Sequence, residues 1–244
     1  MPRKNLLIGI TGSIAAKKTP DLIDLLKEQF NIKCIITFEG TNYIDKNYFK
    51  DIDTFYTWEE GRTKSTHIDL SRWADEFIIY PATSNIISKI VNGSGEDLLT
   101  TTILMYKGRL KIFPAMHEEM NNNNFHNDNL ETIQVSHNVY GPEYGKLDAG
   151  DSGLGRLIEP ENAFQILTVK NKEKVFIISG PTKEYIDDVR FITNSSSGKQ
   201  GYALAIESTA RGFDTTYISS VKPSQNTGFN YINFENTADL LSIL

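Results

Sequence analysis

Apolar residues fall in short, nearly unbroken runs along this chain, with stretches of mixed polarity between them. Residues 5–10 (NLLIGI), 32–37 (IKCIIT), 77–80 (FIIY) and 110–113 (LKIF) are the clearest runs. Such runs, rather than strict alternation, mark strands of a parallel sheet covered on both faces. The intervening segments 21–29, 66–73, 85–91 and 97–105 carry helical patterns. Ser65 or Thr66 is placed to cap the second of these, and 92–95 (NGSG) closes the third. Further on, 133–135 reads as a short strand and 144–158 (YGKLDAGDSGLGRLI) as a long Gly-rich loop, functional or disordered. Glu159-Pro160 begins a helix to about 169, and a charged linker follows at 170–174. The pattern then restarts, with strands at 175–179, 213–219 and 231–234. A Gly/Ser/Thr/Asn turn at 191–201 precedes a helix at 202–211, and another helix starts at 238. Strand–helix alternation predicts an α/β fold: a parallel sheet flanked by helices over 1–170, and a partial second α/β domain over 175–244 whose sheet has an open edge.

Composition narrows this only slightly. The chain has 244 residues and a formal net charge of -6, which gives no electrostatic reason to expect nucleic acid. The apolar run at 6–14 is short and interrupted by Gly9 and Gly12, so neither a membrane span nor a signal peptide is expected. One cysteine, Cys34, excludes an internal disulfide framework and fits a reducing cytoplasm; within its strand it reads as a buried small hydrophobe.

The candidate chemistry sits at strand ends. The runs 77–80 and 110–113 both lead into Pro-Ala, at Pro81-Ala82 and Pro114-Ala115, and polar residues follow. In a parallel α/β sheet, ligands bind beyond the carboxyl ends of strands. Thr11-Gly12-Ser13 ends the first run, either as a plain tight turn or as an anion site made by backbone N–H groups. Thr37 to Gly40 can line the same ligand. His67 lies near the start of its helix, where the positive helix end favours a neutral imidazole; a surface histidine is the bland alternative. The aromatic stretch 41–58 suits a core or a subunit interface. Arg156 is the only guanidinium of the Gly-rich segment and a candidate carboxylate or phosphate anchor. No H-E-x-x-H pattern is present, and no metal is expected.

Together these residues resemble the bifunctional family of coenzyme A biosynthesis that joins phosphopantothenoylcysteine decarboxylase to phosphopantothenate–cysteine ligase. The first half is similar to the homo-oligomeric flavin-containing cysteine decarboxylases. Gly12-Ser13-Ile14-Ala15-Ala16-Lys17 resembles that family's flavin phosphate turn, and His67 its active-site histidine. Pro81-Ala82-Thr83-Ser84-Asn85 resembles the P-A-[ST]-A-N-T flavin motif. Pro114-Ala115-Met116-His117-Glu118-Glu119-Met120 resembles the P-x-M-N-x-x-M substrate motif, and Gly150 to Arg156 the substrate clamp. Gly180-Pro181-Thr182-Lys183-Glu184 with the later Asp187, Arg190, Asn194, Ser196 and Gly198 resembles the ligase motif G-x-T-x-E…D-P-V-R-F-x-T-N-x-S-S-G. This chain departs at three places: His117 replaces an asparagine, Ala149 a cysteine, and Asp188 a proline.

The resemblance implies a flavodoxin/Rossmann-like fold and FMN across the strand ends, its phosphate on Gly12, Ser13, Ile14 and Ala15. Thr37, Pro81, Ala82, Thr83, Asn85 and Met116 would complete the cofactor site. It implies catalytic roles for His67 and His117 on a small-molecule or peptide cysteinyl substrate held by Met120, Ala149, Gly150 and Arg156. It further implies a cytoplasmic homo-oligomer built on trimers, with CTP as a second ligand only where the ligase half is complete. Without a thiol at Ala149, turnover is expected to stop at the oxidised ene-thiol. The alternatives are a flavin-binding pseudoenzyme or regulatory subunit, and a fragment of a CTP-dependent ligase.

Overall fold

The computed structural model describes residues 2–58, 65–169, 173–224 and 228–244. The first apolar run forms β1 (Lys4–Ile10), in which Leu6, Leu7, Ile8 and Ile10 are completely buried. A 3-10 turn, Ile14–Lys18, leads into α1 (Thr19–Leu26), where Pro20 sits in the first turn and lacks only an N–H that has no helical partner there. The small-residue stretch after Gly12 is thus a tight turn, and the α-helix starts beyond it. Next come β2 (Phe30–Ile36) and β3 (Asp53–Phe55), the latter a short edge strand inside the aromatic stretch where no strand is expected. Helix α2 (Thr66–Trp73) begins as anticipated but without a side-chain cap from Ser65, and Thr66 Oγ1 bonds instead to the Trp58 carbonyl at 2.9 Å.

Strand β4 (Glu76–Ala82) runs on through Pro81-Ala82 instead of stopping before it, then α3 (Ser84–Val91) and α4 (Leu98–Met105) follow. Thr83 caps α3 through Ile86 N–H, and Asp97 closes a capping box on α4. After β5 (Lys111–Pro114) and the short α5 (Glu118–Asn121) comes α6 (Asn124–Ser136), capped by Asn123. The strand expected at 133–135 is therefore the last turn of this helix. Leu130 and Ile133, three apart, are buried on one face, whereas Val135 is 81% exposed; the apolar pair had the helical period, not the strand period. With β6 (Asn138–Val139) the strands form one parallel sheet in the order β3-β2-β1-β4-β5-β6.

Alternation along β1 divides the core into two layers. Leu6, Ile8 and Ile10 join α1 residues Leu22, Ile23 and Leu26 on one face. Leu7 joins Phe77, Ile79, Ile112, Leu98 and Leu99 on the other. Each such side chain contributes about 1.5–3 kcal/mol when fully buried.

The Gly-rich segment is neither a loop nor disordered. It is an antiparallel hairpin, β7 (Glu143–Lys146) and β8 (Ser152–Arg156). Its glycines are used for close approach: a Cβ on Gly155 would overlap the Met116 carbonyl, and Met116 N–H donates to the Gly155 carbonyl at 3.0 Å. Helix α7 (Pro160–Thr168) returns to the first apolar layer. The charged linker expected at 170–174 lies outside the described residues in its first three positions.

The remainder contains β9 (Lys174–Ser179), a small antiparallel pair β10 (Lys183–Tyr185) and β11 (Phe191–Thr193), then α8 (Lys199–Ala210). Residues 191–193, read as part of a turn, are therefore a strand, and the helix begins three residues before the expected 202. Finally, β12 (Asp214–Ser219), β13 (Asn230–Ile232) and α9 (Thr237–Ile243) complete a parallel sheet of order β13-β12-β9. Phe176 and Ile178, two apart on β9 and so on one face of this sheet, are exposed. No helix among the described residues is long and apolar enough to cross a membrane.

Candidate functional site

The two Pro-Ala strand ends are neighbours. Ala115 N–H donates to the Ala82 carbonyl at 2.9 Å, which joins the ends of β4 and β5. Thr11, just past β1, ties in the third: its hydroxyl donates to the Pro81 carbonyl at 2.8 Å and accepts from Thr83 N–H at 3.2 Å. Thr37 N–H donates to the Ile10 carbonyl at 3.0 Å, and the Thr37 hydroxyl accepts from Gly40 N–H at 3.1 Å. Four strand ends are thus fixed against one another by short polar bonds at one edge of the sheet.

Two cavities flank the turn after β1. The first, of about 250 Å³, is lined by Thr11, Gly12, Thr37, Glu39, Thr83, Asn85, Ile86, Lys89, Asp97 and Met120. Gly12 faces Glu39 so closely that an added Cβ would stand 2.5 Å from the Glu39 Cβ. Lys89 is paired with Glu96 at 2.8 Å. The second cavity, of about 750 Å³, takes in Ser13, Ile14, Ala15, Lys17, Lys18, Ala115, Met116, His117, Lys146, Leu147, Asp148, Gly155, Arg156 and Leu157.

The expected cofactor residues divide between these two spaces. Gly12, Thr37, Thr83 and Asn85 line the first, with Met120, which was expected on the substrate side. Ser13, Ile14, Ala15 and Met116 line the second, with His117 and Arg156. Pro81 and Ala82 are buried inside β4. Ser13 Oγ accepts from Ala15 N–H at 3.3 Å, so this turn satisfies one of its own donors. Ala149 and Gly150 are exposed in the hairpin turn and line neither cavity. His67 also lies outside both linings; its ring meets Trp58 edge-on at 5.3 Å, and its buried Nδ1 has no hydrogen-bond partner among the described residues.

His117 stands between two carboxylates. Its Nδ1 is in close contact with Glu119, and its Nε2 is 3.3 Å from Asp151 in the hairpin turn. Both ring nitrogens are donors in an imidazolium. Glu119 first, then Asp151, raises the His117 pKa above the ordinary histidine value. The three donor groups lie within 4.8 Å of one another. The carboxylates face opposite ring nitrogens, however, which is a hydrogen-bonded bridge and not a convergent metal cage. Glu118 fastens the same turn to the hairpin by accepting from Leu154 N–H at 3.2 Å.

Arg156, the expected anchor, is engaged within the chain: it contacts Glu159, whose same carboxylate oxygen lies 2.8 Å from Lys18 Nζ. The i,i+3 spacing of Arg156 and Glu159 was a readable signal for this pair, but the third partner, Lys18, lies far off in sequence. A second contact had no sequence signal: Ser84 Oγ is 3.0 Å from Nδ1 of His126, which α6 buries and whose pKa burial lowers. Of the ligase-like residues, Gly180, Ser196 and Gly198 line a third cavity of about 470 Å³ at the N-terminus of α8. Thr182, Asp187, Arg190 and Asn194 do not line it; Asp187 and Arg190 pair with each other at 2.6 Å.

Comparison with known proteins identifies the family. Residues 1–172 match the flavoprotein family, and residues 170–244 match the family described as DNA/pantothenate metabolism flavoprotein C-terminal domain. The coenzyme A biosynthesis bifunctional protein CoaBC of Vibrio vulnificus (strain YJ016) is 33% identical over 252 residues, covering 97% of this chain and 63% of that protein. The Bacillus subtilis (strain 168) protein of the same name is 34% identical over 257 residues, again 97% and 63%. The chain therefore spans somewhat under two thirds of the length of these relatives. Among solved structures, a PPC decarboxylase mutant complexed with pantothenoylaminoethenethiol superimposes with a TM-score of 0.63 at 26% identity, over 67% of this chain and 96% of that one. Peptidyl-cysteine decarboxylase EpiD gives 0.59 at 27% identity, over 67% and 98%.

Proposed function

This chain belongs to the flavoprotein family that its residues 1–172 match, and we propose from that premise that it is an FMN-dependent decarboxylase of a cysteinyl carboxylate. The substrate we assign is phosphopantothenoylcysteine, in coenzyme A biosynthesis in the cytoplasm. One observation carries the reading: four strand ends bearing the Gly12 turn, Thr37, the Pro81–Asn85 turn and the Met116–Met120 turn are bonded together around adjacent cavities.

The residues present suit a flavin nucleotide. Gly12 is bare where a side chain would meet Glu39, and Thr11, Thr37, Thr83 and Asn85 offer short polar groups around one space. Gly12, Thr37, Thr83 and Asn85 would hold FMN on that side, with Ser13 to Ala15 and Met116 on the other. When bound, FMN supplies a two-electron acceptor, which turns the thiol carbon into a C=S group able to take up the electrons of the breaking carboxylate bond. The role of base for the substrate proton falls to His67 from the resemblance alone: its Nδ1 is free of hydrogen bonds among the described residues, but its ring lines neither cavity of this chain. His117 stands where the family's amide holds the substrate carboxylate, but Glu119 and Asp151 already take both of its ring nitrogens, which works against that role. Ala149 brings no proton donor, so the product is the ene-thiol.

Phe38, 83% exposed next to Thr37, is a side chain that a neighbouring subunit of a trimer would cover. We place the division between the two domains at 170–174, and read 175–244 as the first part of a ligase-like nucleotide-binding domain. A second reading, a flavin-binding pseudoenzyme, is favoured by the bridged His117 and the missing thiol at Ala149. The test is to titrate FMN into the purified protein and then add phosphopantothenoylcysteine. Stoichiometric binding, lost in Gly12→Val, followed by bleaching of the oxidised flavin spectrum is expected. Binding without bleaching establishes the pseudoenzyme; no binding overturns both.

A further inference from the structure

Helices α3 and α6 follow the joined ends of β4 and β5, and one polar pair links their first turns. Ser84 is the first residue of α3 and His126 the third of α6. Ser84 Oγ stands 3.0 Å from Nδ1 of His126, which is only 3% exposed. Burial lowers the His126 pKa, so the ring is neutral, with one N–H and one lone-pair nitrogen. Nδ1 therefore accepts from the Ser84 hydroxyl or donates to its oxygen. In either case the buried Nε2 has no partner among the described residues. Around the pair, Ile86 and Ile87 of α3 share one apolar layer with Leu130 and Ile133 of α6. A buried polar atom left unmatched costs stability, and an apolar side chain of similar size would fill the place without that cost. Packing alone thus gives no reason for a histidine here. Ser84 stands at the alanine position of the P-A-[ST]-A-N-T motif, so its hydroxyl belongs to this chain and not to the motif.

The pair lies directly behind the first cavity. Thr83 and Asn85, on either side of Ser84 in sequence, both line that cavity. Successive helical residues point about 100° apart, so Ser84 turns to α6 while Asn85 faces the cavity. Thr83 is already held from the sheet side, by its N–H bond to the Thr11 hydroxyl at 3.2 Å. The first turn of a helix lacks intrahelical partners for its N–H groups, so side-chain bonds do much to set its rotation. We propose that His126 is a positioning residue: through Ser84 it fixes the first turn of α3, and with it Asn85, in the orientation that binds FMN. The inference rests on the cofactor reading above and adds to it a residue that lines neither cavity.

The experiment is a fluorescence titration of FMN into the full chain freed of flavin, with the thermal midpoint of the same flavin-free protein measured alongside. Ser84→Ala and His126→Leu should each weaken FMN binding about fivefold, the worth of one net hydrogen bond, with midpoints at or above that of the wild type. The double variant should bind no more weakly than either single one, because both changes remove the same bond. His126→Asn, whose amide puts a donor and an acceptor near the place of Nδ1, should recover most of the affinity. Losses that multiply in the double variant would overturn the pair, and so would unchanged affinity in both single variants. Losses that go with a lowered midpoint would make His126 a packing residue and overturn the positioning role. Ser84→Ala, the smaller change, decides the matter where His126→Leu does not fold. Each of these outcomes leaves the cofactor reading standing, whereas a wild type that binds no FMN overturns that reading and the positioning role with it.

Discussion

At the scale of single residues, His117 and Ala149 decide how far this chain follows its family's chemistry. The Glu119 and Asp151 carboxylates raise the His117 pKa, whereas burial lowers those of His126 and His137. The sign follows directly. A raised value means the bridge between α5 and the hairpin turn is complete below the ordinary histidine pKa, and dissolves as pH rises through the raised value. In an NMR titration of the imidazoles, His117 should therefore lose its proton at higher pH than His126 and His137; a midpoint below theirs would contradict the bridge. Ala149 lies exposed in the turn that Asp151 anchors. Ala149→Cys returns a proton donor to the family's position, so the product should shift from the ene-thiol to the thiol, heavier by two hydrogens. An unchanged product mass would show that the turn does not reach the substrate. These two positions were legible because a motif with one altered letter stands out. The pairing of Arg156 with Glu159 and Lys18 was not, because Lys18 lies at the other end of the domain and only the fold brings the three together.

At the scale of elements, what the sequence reveals depends on how a segment is buried. The strands of the main sheet are covered on both faces and announce themselves as continuous apolar runs. The end of helix α6 resembles a strand in the sequence because 133–135 combines a buried Ile133 with an exposed Val135, and three residues are too few to separate the two periods. The hairpin reads as a loop in the sequence because its glycines are there for what they admit. Gly155 lets β8 lie on the Met116 carbonyl, and a propensity argument counts glycine against a strand. Gly155→Ala should accordingly cost about 1–3 kcal/mol through overpacking, visible as a lowered thermal midpoint, with weaker FMN or substrate binding because Met116 is displaced. An unaltered midpoint would mean that the strand and the turn are not packed as described.

At the scale of the whole molecule, the two parts of the chain are in contact. Gly228 backs onto the Val139 carbonyl, Gly212 onto Ile166, and Leu154 of the hairpin packs into the cluster of Ala205, Tyr217 and Phe229. Phe229 is 3% exposed and meets Tyr217 edge-on at 5.5 Å. Phe229→Ala should cost about 3–5 kcal/mol and lower the midpoint of one cooperative unfolding transition; two separate transitions in the wild type would show that the parts unfold independently. Decarboxylation at the joined strand ends is the expected outcome for a cysteinyl substrate. It is tested most directly by mixing the FMN-loaded protein with phosphopantothenoylcysteine without oxygen and counting products. One carbon dioxide and one ene-thiol per flavin are expected, since Ala149 cannot return the proton. No carbon dioxide from a fully flavin-loaded protein would contradict the account.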